Sequence, residues 1–289
     1  MKKILITGAN SYIGTSFENY IKKFDGYSVN TVDMVDGTWR NMDFSGYDTV
    51  FHVAGIAHSD TSNPPDEIKK KYYKVNTDLT IETAAKAKAD GVRQFVFMSS
   101  MIVFGSKNEC VTRDTTPHPD NFYGDSKLKA DIGIHKLEEE NFKVVSLRPP
   151  MIYGKGSKGN YPRLAKLALR TPIFPDFPNK RSMLYIENLC EFVRLIVDNE
   201  ENGYFYPQND EYVNTSNLVR QIAAVHNKKI KFVKCFNAVI RSAVHSNITI
   251  RKVFGNLYYD KNMSAYRNEY NVCTFTKSIF RSFTNDKYE

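Results

Sequence analysis

Lys3-Ile4-Leu5-Ile6-Thr7-Gly8-Ala9-Asn10-Ser11-Tyr12-Ile13-Gly14 passes from an apolar run through a glycine turn into a helical pattern. Lys3–Thr7 reads as a buried strand, and Tyr12–Phe24 as a helix with Ile13, Phe17, Tyr20 and Ile21 on its apolar face. Gly8 permits the tight turn, and Gly14 lets the helix lie close on the strand. The helix N-terminus then presents free amides and the positive end of its dipole, which suits a pyrophosphate. The spacing is Gly-x5-Gly with Ser11 where a middle glycine often stands, and a glycine pair alone also fits an ordinary βα turn.

Working outward, Tyr27–Val32 reads as a second strand ending at Asp33, and Asp48–Val53 as a third. Asp33 follows Gly14 by 19 residues, where an acid binds the adenosine ribose hydroxyls of NAD and repels a 2′-phosphate. With both features in register, a dinucleotide site is the better reading, NAD(H) being preferred and NADP(H) left open. Asp43 could approach the adenine or stand solvated in its loop. Asp66–Asp90 reads as a long helix, Gln94–Met98 as a strand, Phe122–Glu140 as a helix and Lys143–Leu147 as a strand. This alternation predicts an α/β protein, a Rossmann-type doubly wound parallel sheet with a smaller C-terminal substrate lobe. Six of the eleven prolines lie between 149 and 178 and break the pattern. Residues 1–155 are therefore expected to form the nucleotide-binding domain and 156–289 the lobe, with elements around 180–200 returning to the first domain. Glu187–Val197 and Asn217–His226 read as further helices. There is no internal repeat or low-complexity linker.

Composition is that of a globular protein, 42% hydrophobic and 25% charged. The +8 net charge belongs to residues 228–289, with twelve basic and four acidic residues, so the first 227 balance. A protein-wide nucleic-acid surface is not expected. Cys110, Cys190, Cys235 and Cys273 show no metal-ligand spacing and read as reduced thiols of a cytoplasmic protein without metal. The first apolar run is too short for a signal peptide, and no stretch approaches the ~20 apolar residues of a spanning helix.

Tyr123-Gly124-Asp125-Ser126-Lys127 puts a tyrosine and a lysine four apart at a helix start, on one face. Ser99-Ser100 closes the fourth strand, at the end of the sheet where ligands bind. A phenol of pKa near ~10 is a poor base at neutral pH, and a nearby ammonium should lower that value. Ser100 could hold the substrate oxygen while the proton moves. Tyr-x-x-x-Lys also arises by chance in exposed helices; the conjunction with the glycine turn and the serine pair points to proton transfer.

On these residues the chain resembles the extended short-chain dehydrogenase/reductase family, in particular its nucleotide-sugar epimerases, dehydratases and 4-keto reductases. The resemblance takes in the glycine turn, Asp33, Phe51-His52-Val53-Ala54-Gly55, Asn76, Ser99-Ser100, the Tyr/Lys pair, Arg148-Pro149-Pro150-Met151-Ile152-Tyr153-Gly154 and Arg181–Leu189. It implies Ser100, Tyr123 and Lys127 as catalytic residues, Lys127 also holding the nicotinamide ribose. It implies cofactor contacts from Gly8, Asn10, Ser11, Tyr12, Ile13, Gly14, Asp33, Asp43, Ala54, Gly55, Asn76, Ser99, Pro149 and Ile152. Arg181 would meet the diphosphate of a UDP-sugar, with Met101 and Asn160 on the substrate side. Asn160 also fits a plain turn residue. A homodimer through the helices around 66–90 and 122–140 is implied as well. Asn188, where an Asp is usual, and Ser11 depart from the pattern.

The reaction is narrowed by Met101 and Ile102. They stand where the resembling 4,6-dehydratases carry Asp and Glu, and cannot move protons, so dehydration is not expected. Reduction of a 4-keto sugar and epimerisation at C4 remain. Arg148–Gly154, Gly159–Leu164, Ile173–Pro178 and Phe254–Tyr258 look like capsule-pathway reductases acting on UDP-4-keto-6-deoxy-N-acetylhexosamines. That reductase is the expectation, with a UDP-glucose or UDP-N-acetylglucosamine 4-epimerase as alternative. A catalytically silent NAD-binding sensor is a further one, disfavoured by the intact Ser/Tyr/Lys set. Phe236, Val239, Ile240, Ala243, Val244 and Ile248 predict a basic C-terminal helix buried by its apolar face, or else one resting on a membrane surface.

Overall fold

The apolar runs of the N-terminal half become strands of one sheet in the computed structural model, which describes residues 1–57 and 64–284. The last five residues of the basic segment thus lie outside the described residues. The chain runs β1 (Lys2–Thr7), α1 (Tyr12–Ile21), β2 (Tyr27–Val32), β3 (Thr49–His52), α2 (Asp66–Tyr73), α3 (Leu79–Ala89), β4 (Gln94–Met98), β5 (Cys110–Val111), α4 (Phe122–His135) and β6 (Lys143–Leu147). Then follow β7 (Met151–Tyr153), α5 (Asn160–Arg170), β8 (Ile173–Pro175), β9 (Met183–Tyr185), α6 (Ile186–Asp198) and β10 (Gly203–Phe205). The chain closes with α7 (Thr215–Val225), β11 (Lys231–Val233), α8 (Asn237–Ala243), α9 (Ile248–Phe254), β12 (Tyr258–Tyr259) and α10 (Phe275–Phe283).

The main sheet is parallel throughout, in the order β10–β6–β4–β3–β1–β2. Strand alternation splits its side chains between two faces. Ile4, Ile6, Phe51, Val96 and Val145 join Phe17 of α1 and Leu189, Phe192 and Val193 of α6 on one face. Leu5, Val50, Phe95 and Val144 join Ala84, Ala87, Ala130 and Ile134 of α3 and α4 on the other, with the single tryptophan, Trp39. The sheet is thus covered on both sides, the doubly wound arrangement expected. After β2 the chain crosses β1 to form β3, so a crevice opens at the carboxyl ends of β1 and β3.

Several boundaries differ from the sequence reading. α1 stops at Ile21 in a turn closed by Phe24 N–H to Ile21 C=O at 3.0 Å. α4 ends at His135 rather than Glu140, because Glu139 and Phe142 pair back into β6. The long helix is interrupted by a π-turn over Lys74–Asp78, a wider turn that often marks a functional position. The predicted C-terminal helix is two short ones, since Asn247 caps a fresh start by accepting from the Thr249 and Ile250 amides. Its apolar face is not buried: Ile240 is, but Phe236, Val239 and Ile248 are exposed. The strand β10 and the helix α10 have no counterpart in the sequence reading.

Candidate active site

At the carboxyl end of β1 the backbone turns through Gly8, whose φ of +100° suits glycine. A Cβ there would stand 2.8 Å from the Ala54 nitrogen, so β1 and the segment after β3 touch backbone to backbone. Ser11 explains its departure from glycine. It is the N-cap of α1, its Oγ accepting from the Gly14 amide at 3.1 Å. A Cβ on Gly14 would collide with that Oγ at 2.7 Å. The Tyr12 and Ile13 amides, in the first helical turn, have no intrahelical acceptor and are free for an anion. Asn10 adopts φ 62° beside them. The Tyr12 side chain turns away, its buried hydroxyl unpartnered beneath Gly154. Asp33 is exposed past the end of β2 and accepts from the Val35 amide at 2.9 Å. Asp43 is occupied locally: Ser45 donates to it from its amide and its hydroxyl, at 2.8 and 2.9 Å.

Across the crevice, α4 presents Tyr123 and Lys127. Asn121 caps the helix by accepting from the Gly124 amide at 2.9 Å. The Ser100 side chain lies close enough to the Tyr123 phenol to favour its ionised form, and Ser100 accepts from the Ile102 amide at 3.3 Å. Lys127 Nζ donates to the Met98 carbonyl at 2.9 Å and lies 4.6 Å from the Phe97 ring centroid. Gly55 brings the third strand's segment against this lysine. A Cβ on it would stand 3.1 Å from both Asn76 Oδ1 and Lys127 Nζ. Asn76, from the π-turn, accepts from the Ile56 amide at 2.8 Å and donates to the Ile56 carbonyl at 3.0 Å and Ser126 Oγ at 3.1 Å. Ser100, Tyr123, Lys127, Gly55 and Asn76 are therefore one cluster.

The Tyr123 phenol is pushed up to about 12, by burial first and by Tyr72 second, while Ser100 pulls the other way. Lys127 is itself held down to about 8, because burial outweighs the attraction of Asp131. Its ammonium donates to the Met98 carbonyl.

The remaining predicted residues divide. Arg181 is the better supported: it hydrogen-bonds the Gly255 carbonyl from Nη1 at 3.0 Å. Among the described residues no carboxylate pairs with it, and burial holds its guanidinium down to about 10. A buried cation without an anion is costly unless a ligand supplies one. Asn160 opens α5 at an exposed position. Met101 is buried in a cluster with Val103, Phe104, Val111 and Tyr259. Ser99 points at Asp131, donating at 2.9 Å, so its hydroxyl is engaged in the protein. Pro149 accepts from the Met101 amide at 2.9 Å, and Ile152 lies in β7, half-buried. Asn188 donates to Asn209, Asn271 and the Cys273 carbonyl, an interior role in which the amide replaces the usual acid.

Two networks escaped the sequence reading. Fully buried His52 joins Thr7 Oγ1 at 2.7 Å and Thr80 Oγ1 at 3.1 Å, and Thr80 donates to the Asn76 carbonyl. Since Thr80 spends its proton on Asn76, His52 donates from Nε2 and accepts at Nδ1 from Thr7. The second joins Asp131 Oδ2 to Ser99 and to Arg148 Nε at 3.0 Å, with the Arg148 guanidinium 4.2 Å from the Tyr204 ring centroid. Asp131 falls four residues after Lys127, and that spacing was the one local signal available.

A glycine turn at a helix start, an acid closing β2 and a Ser/Tyr/Lys cluster at the strand ends define a dinucleotide-dependent enzyme working by proton and hydride transfer. The chain belongs to the NAD dependent epimerase/dehydratase family, whose model matches residues 4–206. It is 27% identical over 252 residues to UDP-glucose 4-epimerase of Vibrio cholerae, covering 78% of this chain and 76% of that one. It is 28% identical over 249 residues to N-acetyl-α-D-glucosaminyl-diphospho-ditrans,octacis-undecaprenol 4-epimerase of Escherichia coli O157:H7, covering 78% and 73%. Its fold matches that of UDP-glucuronic acid 4-epimerase from Bacillus cereus in complex with NAD, with TM-score 0.74, 18% identity and 97% of each chain. It also matches dTDP-4-dehydrorhamnose reductase from Bacillus anthracis in complex with NADP, with TM-score 0.67, 19% identity, 81% of this chain and 85% of that one. Among the described residues no helix is long and apolar enough to cross a membrane.

Proposed function

We propose that this chain transfers a hydride at C4 of a UDP-linked sugar, with Tyr123 moving the hydroxyl proton and Ser100 holding the same oxygen. The observation that carries the reading is the gathering of Ser100, Tyr123 and Lys127 at the mouth of the crevice, with Gly55 and Asn76 packed against the lysine. Gly8 and Gly55 let the segments after β1 and β3 pack where a Cβ would strike Ala54, or Asn76 and Lys127, and the first amides of α1 open at the end of β1, so the residues fit a dinucleotide. When bound, the nicotinamide supplies or accepts the hydride. Asp33 would take the adenosine ribose and favour NAD(H); Lys127 and Asn76 would fix the other end. Arg181 would clamp the diphosphate, its unpaired charge matching the substrate's. Residues 156–289 would form the substrate lobe.

Two forms of this reaction are open. Reduction of a UDP-4-keto-6-deoxy-N-acetylhexosamine, for surface polysaccharide synthesis in the cytoplasm, is favoured by the likeness of residues 148–154, 159–164, 173–178 and 254–258 to capsule-pathway reductases. Epimerisation at C4 with retained NAD is favoured by the two relatives named above, both 4-epimerases. Denaturing the purified protein separates them. Stoichiometric release of NAD supports the epimerase, whereas no release together with NADH consumption on a 4-keto sugar nucleotide supports the reductase. Failure of both would overturn the C4 assignment. A homodimer across α2 and α4 belongs to the same reading, supported by exposed Ile68 and Ile132 on those helices.

A further inference from the structure

Residues 212–259 contain eight Lys and Arg and no acidic residue. The structure sets this segment beside another of the same kind. β11 pairs with β8, placing Lys231 opposite Ile173, and Lys228 donates to the Leu169 carbonyl. Residues 163–180 hold Arg163, Lys166, Arg170 and Lys180 against one acid, Asp176, which pairs with Arg220 at 3.5 Å. The two segments form one basic face that is studded with apolar side chains. Ile173 is 48% exposed, Phe236 48%, Val239 66% and Ile248 57%. Phe236 and Val239 lie three residues apart on one side of α8, and α9 buries no residue at all. Exposed Lys229, Lys231, Lys234, Arg241 and Lys252 surround them.

We infer that this face docks the enzyme on an anionic lipid bilayer. Basic residues alone would suit any polyanion, but helices that expose Phe, Val and Ile among lysines match the headgroup–acyl boundary, where charge and apolar surface are both satisfied. The site gains from this position. α9 leads into Gly255, whose carbonyl accepts from Arg181, so the docking face borders the proposed diphosphate clamp. The docking itself does not depend on the proposed reaction, and the test below never measures turnover.

Full-length protein is sedimented with phosphatidylcholine vesicles, and with vesicles containing phosphatidylglycerol, at low and high salt. Docking predicts partition onto the phosphatidylglycerol vesicles alone, weakened by salt. Reversing Lys229, Lys231 and Lys234 to Glu should lower partition by roughly a hundredfold. Phe236→Ser with Val239→Ser should lower it about tenfold at either salt concentration while thermal unfolding is unchanged, the replaced side chains being exposed. Equal partition onto both vesicle types, no partition at low salt, an unaffected Phe236/Val239 variant, or tighter binding to a DNA duplex than to the vesicles would each overturn the proposal.

Discussion

Lys127 is held where its charge is penalised. Its folded pKa, about 8, lies below the ordinary 10.5. Between those values the unfolded chain binds more protons, so stability rises with pH across that window; below pH 8 the cost is complete, about 3 kcal/mol. Lys127→Met should therefore abolish turnover yet raise resistance to urea by about 1–2 kcal/mol at neutral pH, part of the gain being lost with the bond to the Met98 carbonyl. His52 depends on pH in the same sense, in a lower window. Burial, with Lys127 adding repulsion, pushes it down to about 3. The native state stays neutral while the unfolded chain gains a proton below the ordinary 6.5, so stability falls as pH drops. By pH 4.5 the loss should be about 2–3 kcal/mol, and His52→Asn should flatten that part of the profile in urea titrations. Tyr123→Phe should remove turnover while NAD binding stays within a few-fold by calorimetry; retained turnover would sink the role of Tyr123. These side chains differ in legibility. Tyr123 and Lys127 announce themselves because four residues on a helix are one face. His52 does not, because its partners Thr7 and Thr80 lie 45 and 28 residues away.

At the scale of elements, α4 and the segment after β4 carry the groups proposed to react, and the Ser99–Asp131–Arg148 bridge spans them. Ser99 adjoins Ser100, and Asp131 lies one turn beyond Lys127, so the bridge sets the distance between the serine and the tyrosine–lysine face. Asp131→Asn leaves the Arg148 guanidinium buried without its anion and should cost about 3–5 kcal/mol. Replacing both partners by apolar residues should recover most of that in a double-mutant cycle, while a lowered turnover number would persist. The five strands read from the sequence, β1, β2, β3, β4 and β6, fall within a residue or two of their ends, being apolar runs, whereas β10 and the short strands of the second half were not read. Helix ends were read less well. They depend on caps such as Asn247 and on pairings such as Glu139 with Phe142, which a stripe of apolar residues does not encode.

The whole molecule is closed by its C-terminal helix. Ser278 of α10 meets the Tyr153 hydroxyl at 2.5 Å, Asn209 donates to that hydroxyl, and Phe275 and Ile279 fill the core beside α7. Deleting the chain from Thr274 onward should give insoluble protein or a large fall in melting temperature, because it uncovers that core. None of this was legible locally, since the two hydrogen bonds on Tyr153 join residues 56 and 125 apart in sequence. The charge was legible in amount and not in shape. Arg267 and Arg281 of the basic tail pair with Glu201 and Glu187, while its Lys228–Lys234 stretch lies against a second basic segment. The buried indole of Trp39 offers a last consequence. It is the chain's one tryptophan and lies in the connection that leaves Asp33. Its emission overlaps the absorption of reduced, not oxidised, nicotinamide. Energy transfer from a single intrinsic donor should therefore report the redox state of the enzyme during turnover, cycling in a reductase and nearly constant in an epimerase.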